Sequence, residues 1–296
     1  KSSTSLISLK DAETGVYVPI NQNSSSRPDG LAPYSVSEWY GYDQNAGGFD
    51  PDAQAFITAA GITDPTQQSA INTLVVDLKG YGIWDQMFAI YPFVGGTATT
   101  HKWNLKNPLN TDAAFRLVFY GGLTHSSTGI LPNGTTGYAD TFFVPSTYIN
   151  TTNYGSLGIY LRTNSIDATQ QMDMSSQTLS GGIGGEFTLH SAFQNTNTSS
   201  AFTCEFAQSA TFTYRRAVIA TTANTIGFWA GSQNNTTMYF QRNGTSLSPT
   251  LDVKVANRTV PNVKLPIFGQ NYNGSIRRFT KRQAAFAFIG KQLTAM

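Results

Sequence analysis

Two periodicities divide the chain. Between residues 50 and 79, apolar side chains recur every three or four positions. Phe56, Ile57 and Ala60 share one side of a first segment, and Ile71, Leu74, Val75 and Leu78 follow the i, i+3, i+4, i+7 pattern in a second. Asp50-Pro51 and Asp64-Pro65 each put a capping side chain before a proline at the first helical position, and Gln67 sits where a capping box wants it. Gly61 and Gly80 stand where left-handed terminal residues are wanted. The pattern predicts helices near 51–61 and 65–79, then a short turn over Ile83 to Phe88. The apolar run WDQMFAIYPF reads as the cap joining these helices to a β-rich remainder.

From Thr97 onward the period drops to two. HKWNL alternates, and FRLVFY reads as a buried strand. LGIYLRT, EFTLHSAF, AFTCEFA, ATFTYRRAVIA, TIGFWAG and MYFQRNG are β-rich runs of strand length. Asn-Gly at 133–134, 243–244 and 273–274 supplies turn residues that tolerate positive φ. Strands at this spacing, without helices between them, predict an antiparallel two-sheet sandwich or a barrel. Upstream, Asn21 to Pro33 is rich in Ser, Asn, Pro and Gly, so residues 1–47 read as an extended arm. The domain reading is therefore an arm at 1–47, a helical segment at 48–96 and the β-sandwich at 97–296. Trp39, Tyr40 and Tyr42 are too apolar for a solvated arm and are expected to dock, as assembly anchors on a partner or on this chain.

Several segments carry a resemblance. LKGYGIW, AIYPFVGG, HKWNLKNP, FRLVFYGG, LPNGTTGYADT and AAFAFIGKQLT, with SVSEWYGYDQNA upstream, are similar to a family of phage virion proteins found in tails, fibres and capsid attachments. The resemblance implies a structural or adhesive role, a virion location and a concanavalin A-like (LamG-like) jelly roll. It also implies other virion proteins as partners and a homo-oligomer. The order MYFQRNGT, LPIFGQNYNGSIRRF, AFIGKQL looks like the closing strands of such a jelly roll. Against the family's pattern the chain begins without Met and stops soon after IGKQLT, so it is expected to come from a longer or processed polypeptide.

Composition agrees with a particle-borne β protein. Charged residues are only 12% of the chain, with Asn, Thr, Ser and Gly in their place. Residues 1–150 hold seven bases against twelve acids, and 151–296 hold twelve bases against five. The basic excess concentrates in IRRFTKR at 276–282. It lacks interleaved aromatics beyond Phe279, so it predicts a solvated edge or an acidic neighbouring subunit rather than nucleic acid. No run of 18 apolar residues occurs, so no membrane partner is expected. Cys204, the single cysteine, excludes an intramolecular disulfide and reads as a buried thiol.

Candidate chemistry is sparse. A glycosidase needs two carboxylates held across one bond. Glu186 and Glu205 are nineteen positions apart, and Asp167 and Asp173 fall in a polar stretch, so no catalytic site is expected. His101, His125 and His190 lack metal-ligand spacing, and acids are too few to predict calcium. No cofactor or metal is expected. Nine Asn-x-Ser/Thr sequons read as turn chemistry. Sugar binding without catalysis needs an aromatic plate beside amides. Asn271, Tyr272 and Asn273 offer that chemistry, as do Asn153 and Tyr154, so a host-surface glycan is the expected ligand of a lectin-like module.

Overall fold

The computed structural model describes residues 8–10, 17–19, 48–150, 154–180, 183–193, 199–204, 214–219, 224–233, 237–253 and 259–293. The chain divides into two units, Lys1–Phe49 and Asp50–Met296. In the first, β1 (Ser8–Lys10) pairs antiparallel with β2 (Tyr17–Pro19). Trp39, Tyr40 and Tyr42 lie outside the described residues.

In the second unit both predicted helices form. α1 (Pro51–Ala60) starts on Asp50, whose carboxylate accepts the Asp52 N–H at 3.0 Å, and ends on left-handed Gly61. α2 (Pro65–Gly80) starts on Asp64 in the same way. Two details differ from expectation. Gln67 makes no capping box. Its Nε2 donates to the Asp64 carboxylate, while its Oε1 accepts the Gly95 N–H and so ties the helix to a distant loop. Gly80 stays helical, and the left-handed residue is Gly82. Only Ile71 and Val75 of the α2 stripe are fully buried, and the helix packs against α1 and the turn at Trp84–Gln86.

The apolar run that was expected to cap the helices instead enters the sandwich. After a 3-10 turn at Trp84–Gln86, β3 (Met87–Tyr91) pairs antiparallel with β20 (Ala284–Lys291). Ala89 and Tyr91 join the core between the sheets, and Ile90 on the other face is also buried. Burial on both faces hides the strand period and leaves a continuous apolar run, which sequence alone cannot tell from a cap. HKWNL, expected to begin a strand, instead begins on the last residue of a short helix, Ala98–His101. Here a capping box does form, between Thr97 and Thr100. Of FRLVFY only Val118–Tyr120 (β4) is strand, because Phe115 takes a left-handed backbone.

The remaining strands build two sheets, antiparallel except at one pairing. The smaller runs β15 (Thr245–Ser246), β14 (Met238–Arg242), β13 (Gly227–Gln233), β8 (Gly155–Leu161), β20, β6 (Gly129–Pro132) and β5 (Leu123–Ser126), with β3 also on β20. The larger runs β16 (Thr250–Val253), β12 (Tyr214–Ile219), β11 (Ser200–Cys204), β10 (Ile183–His190), β9 (Met174–Ser180), β17 (Pro266–Ile267), β7 (Tyr138–Asp140) and β4. The exception is β18 (Gln270–Tyr272), which lies parallel to β9 and forms a hairpin with β19 (Ser275–Arg277).

Leu157, Ile159, Leu161, Trp229 and Phe240 from one sheet meet Met174, Phe187, Leu189, Phe202 and Ile267 from the other in one core. Gly231 permits the closest approach. A Cβ there would stand 2.1 Å from the Phe202 ring across the interface. The chain is therefore mainly β, two facing sheets with few helices, as the period-2 pattern predicts. Cys204 is buried in β11. Asn243-Gly244 and Asn273-Gly274 take the expected positive φ at both residues. Asn133 instead serves by its side chain, accepting the N–H groups of Thr135, Thr136 and Gly137.

Candidate recognition face

Strand alternation sends Phe187, Leu189, Met174 and Phe202 inward, so their neighbours form the outer face of the larger sheet. Strand register aligns one row across it. Arg277 stands opposite Gln270, Gln270 beside Ser175, Ser175 opposite Thr188, Thr188 opposite Thr203 and Thr203 opposite Arg216.

One end of this row is a hydrogen-bond relay. Gln270 donates from Nε2 to Ser175 Oγ and to Gln177 Oε1, both at 3.1 Å, and Ser175 bonds Thr188 at 2.7 Å. Gln270 Oε1 accepts from Arg277 Nε and from Arg278 Nη1, each at 2.9 Å. Gln270, Ser175 and Thr188 have no exposed surface, whereas Gln177, Glu186, Tyr272, Arg277 and Arg278 are half-buried. The result is a buried polar floor beneath a partly open rim.

Rings seat both rim cations. The Arg277 guanidinium lies 3.6 Å from the Tyr272 ring centroid, and Arg278 lies 5.2 Å from that of Phe193. Burial, and then the adjacent charge of Arg277, lower the pKa of Arg278 from its ordinary value. Under Phe193, His190 is 2% exposed, and neither ring nitrogen has a hydrogen-bond partner among the described residues. Burial, followed by the charges of Arg216, Arg282 and Arg278, pushes its pKa down to about 3, so the imidazole is neutral.

The basic run at 276–282 thus does not form a patch. Arg277 and Arg278 reach the rim, and Lys281 pairs with Asp167 at 2.8 Å. Arg282 is fully buried, donating to Asp173 at 2.8 Å and to the carbonyls of Ser165 and Ala192. Asp173 accepts further bonds from Thr280 and from the Ser191 N–H and hydroxyl.

Of the residues expected to bind glycan, Tyr272 lies at the rim, held under Arg277. Asn271 is buried, donating to the Lys264 carbonyl and accepting the Gly274 N–H. Asn273 is exposed but bonds both the N–H and the carbonyl of Leu179, extending the strand pairing by its side chain. The two amides therefore shape the hairpin that presents Tyr272. Tyr154 belongs to the core, and Asn153 lies outside the described residues.

Glu186 stands opposite Gln177 on the outer face, and Glu205 lies outside the described residues. His101 and His125 meet elsewhere, Nδ1 to Nδ1 at 3.0 Å. Since His101 Nε2 accepts the Gly96 N–H, its Nδ1 carries the proton and donates to His125. Among the described residues, no three His, Cys, Asp or Glu side chains are grouped to hold a metal ion.

The floor of this face is hidden from a reading of the sequence. MSSQTLS gives no strand signal, because Ser175 and Ser176 are both buried and leave no apolar alternation. The Gln270–Arg277 pair is readable, since a two-residue Asn-Gly loop sets residue 270 opposite 277.

No family model matches the chain, and no curated protein matches it. Among solved structures, it is similar to the Trypanosoma rangeli sialidase in three complexes. The complex with the inhibitor DANA shares 10% identity over 60% of this chain and 27% of that chain, with a TM-score of 0.37. The complex with sialic acid gives 9%, 64%, 30% and 0.39. The covalent intermediate with 2,3-difluorosialic acid gives 11%, 77%, 38% and 0.39. The chain spans well under half the length of those proteins, and TM-scores this low carry no argument about fold or activity.

Proposed function

We propose that this chain is a structural component of a phage particle, in the tail, a fibre or attached to the head. It acts by subunit association and carries a non-catalytic jelly-roll sandwich of the concanavalin type for adhesion to the host surface. One observation carries this reading. The segments that bear the resemblance bond to one another as framework, two of them across about two hundred residues. AIY pairs with AFAFIG as β3 against β20. Asn104 of HKWNLKNP accepts from Ile90 N–H and Lys106 N–H and donates to the carbonyls of Phe88 and Ala114. Tyr91 donates to the Phe115 carbonyl of FRLVFYGG at 2.6 Å. A family marked by such residues is marked by its architecture.

Association falls to residues 1–47, with Trp39, Tyr40 and Tyr42 as anchors. The test is particle assembly with a chain lacking 1–47. The shortened chain is expected to fold but to be absent from purified particles, and normal incorporation would reject the reading. The lectin-like alternative is favoured by one feature, the rim of Tyr272, Arg277, Arg278 and Gln177, whose ring, guanidinium and amide groups suit sugar hydroxyls and charges.

A further inference from the structure

We infer that Arg277 and Arg278, seated on Tyr272 and Phe193, form a binding site for a single carboxylate carried by an acidic sugar of a surface glycan. This deepens the adhesive half of the proposed function and rests on it. Consecutive side chains in an extended strand point to opposite faces. Here both guanidiniums bond the same Gln270 oxygen, because Arg278 adopts a left-handed backbone with φ 54°. A non-glycine residue in that region is strained by about 1 kcal/mol or more, and such strain persists where surrounding contacts enforce it. The chain thus gathers two like charges around one neutral acceptor, with Arg278 also donating from Nε to Gln170 Oε1 at 2.6 Å.

Their partners set these two apart. Lys79, Lys106, Arg116, Lys264, Lys281 and Arg282 each have a carboxylate within 4 Å. Neither Arg277 nor Arg278 has one among the described residues; Lys102, Arg162, Arg242 and Lys291 lack one too, but Arg277 and Arg278 converge on a single neutral acceptor. Glu186 acts on Arg278 electrostatically without forming an ion pair. A guanidinium fork matches a carboxylate in two parallel bonds, and adjacent positive charges favour an anion between them. Gln270, locked by Ser175 and Gln177, holds the forks in place. Tyr272 and Phe193 beside the charges, with Gln177 at the rim, provide for a ring and its hydroxyls. An extended acidic peptide would have no use for that setting.

The test is calorimetric titration of the full chain with a glucuronate-containing tetrasaccharide, its carboxyl-reduced counterpart and a glutamate-rich peptide of equal charge. The tetrasaccharide is expected to bind about tenfold or more tightly than the reduced form, and more weakly as salt rises. Arg277→Gln and Arg278→Gln should each lose most of that binding. Arg278→Gly removes the fork while easing the backbone, so loss of binding at an unchanged thermal unfolding midpoint reports the lost fork and not misfolding. Absence of uronate binding overturns the inference. Equal binding of the reduced sugar overturns it too, but leaves glycan adhesion standing. Preference for the peptide overturns it in favour of an acidic protein partner. None of these results alters the particle-assembly test, which alone decides the structural reading.

Discussion

Arg282 carries a full charge with no exposed surface, and it is tolerated because Asp173 and two carbonyls accept its hydrogen bonds. Removing one partner of such a pair leaves an uncompensated buried charge. Asp173→Asn is therefore expected to lower unfolding stability by about 3–5 kcal/mol, against about 0–1 kcal/mol for Asp167→Asn at the more exposed Lys281 pair. Urea denaturation of both variants separates the two.

The histidines give the second prediction at this scale. Burial, with His125 next to it, holds the His101 pKa near 4, and burial also lowers His125. The unfolded chain then binds more protons than the folded one between the ordinary value of 6.5 and about 4. Stability is fully present above pH 6.5 and is lost as pH falls through that window, by about 3 kcal/mol from His101. His190 extends the loss to about pH 3. His101→Asn should flatten the slope of stability against pH between 6.5 and 4. An unchanged slope would show that the imidazole pair is not neutral.

Among the elements, the two helices were legible because their signals are local: a capping carboxylate, a proline at the first position and an apolar stripe. β3 was not, since its partner β20 lies about two hundred residues away and burial on both faces erased its period. The packing of β13 on β11 is likewise invisible in either strand. Gly231→Ala places a methyl against Phe202 and should cost about 1–3 kcal/mol. The double variant Gly231→Ala/Phe202→Leu should recover part of that loss in thermal unfolding. A Gly231→Ala protein of unchanged stability would mean the sheets do not approach there.

For the whole molecule, the boundary between Phe49 and Asp50 separates a unit that holds the entire two-sheet core from the arm. A chain starting at residue 48 is expected to unfold in one cooperative transition at nearly the full-length midpoint. A broad or lowered transition would show that the arm completes the core. On this scale the basic run at 276–282 does not form one surface patch, because it is divided among rim, ion pair and interior.

Composition and period alone established a charge-poor β-sandwich with two leading helices, because propensity, caps and alternation act over a few residues. The Asn-Gly loop at 273–274 marked the turn, and the structure shows the register it sets, Gln270 opposite Arg277. Tertiary structure decided the rest. It buried Arg282 beside Asp173, engaged Asn271 and Asn273 in bonds that support the hairpin, and set Arg278 beside Arg277 on one face. Arg282 finds Asp173 109 positions away and Asn273 finds Leu179 94 positions away, and partners at that distance leave no trace in local pattern.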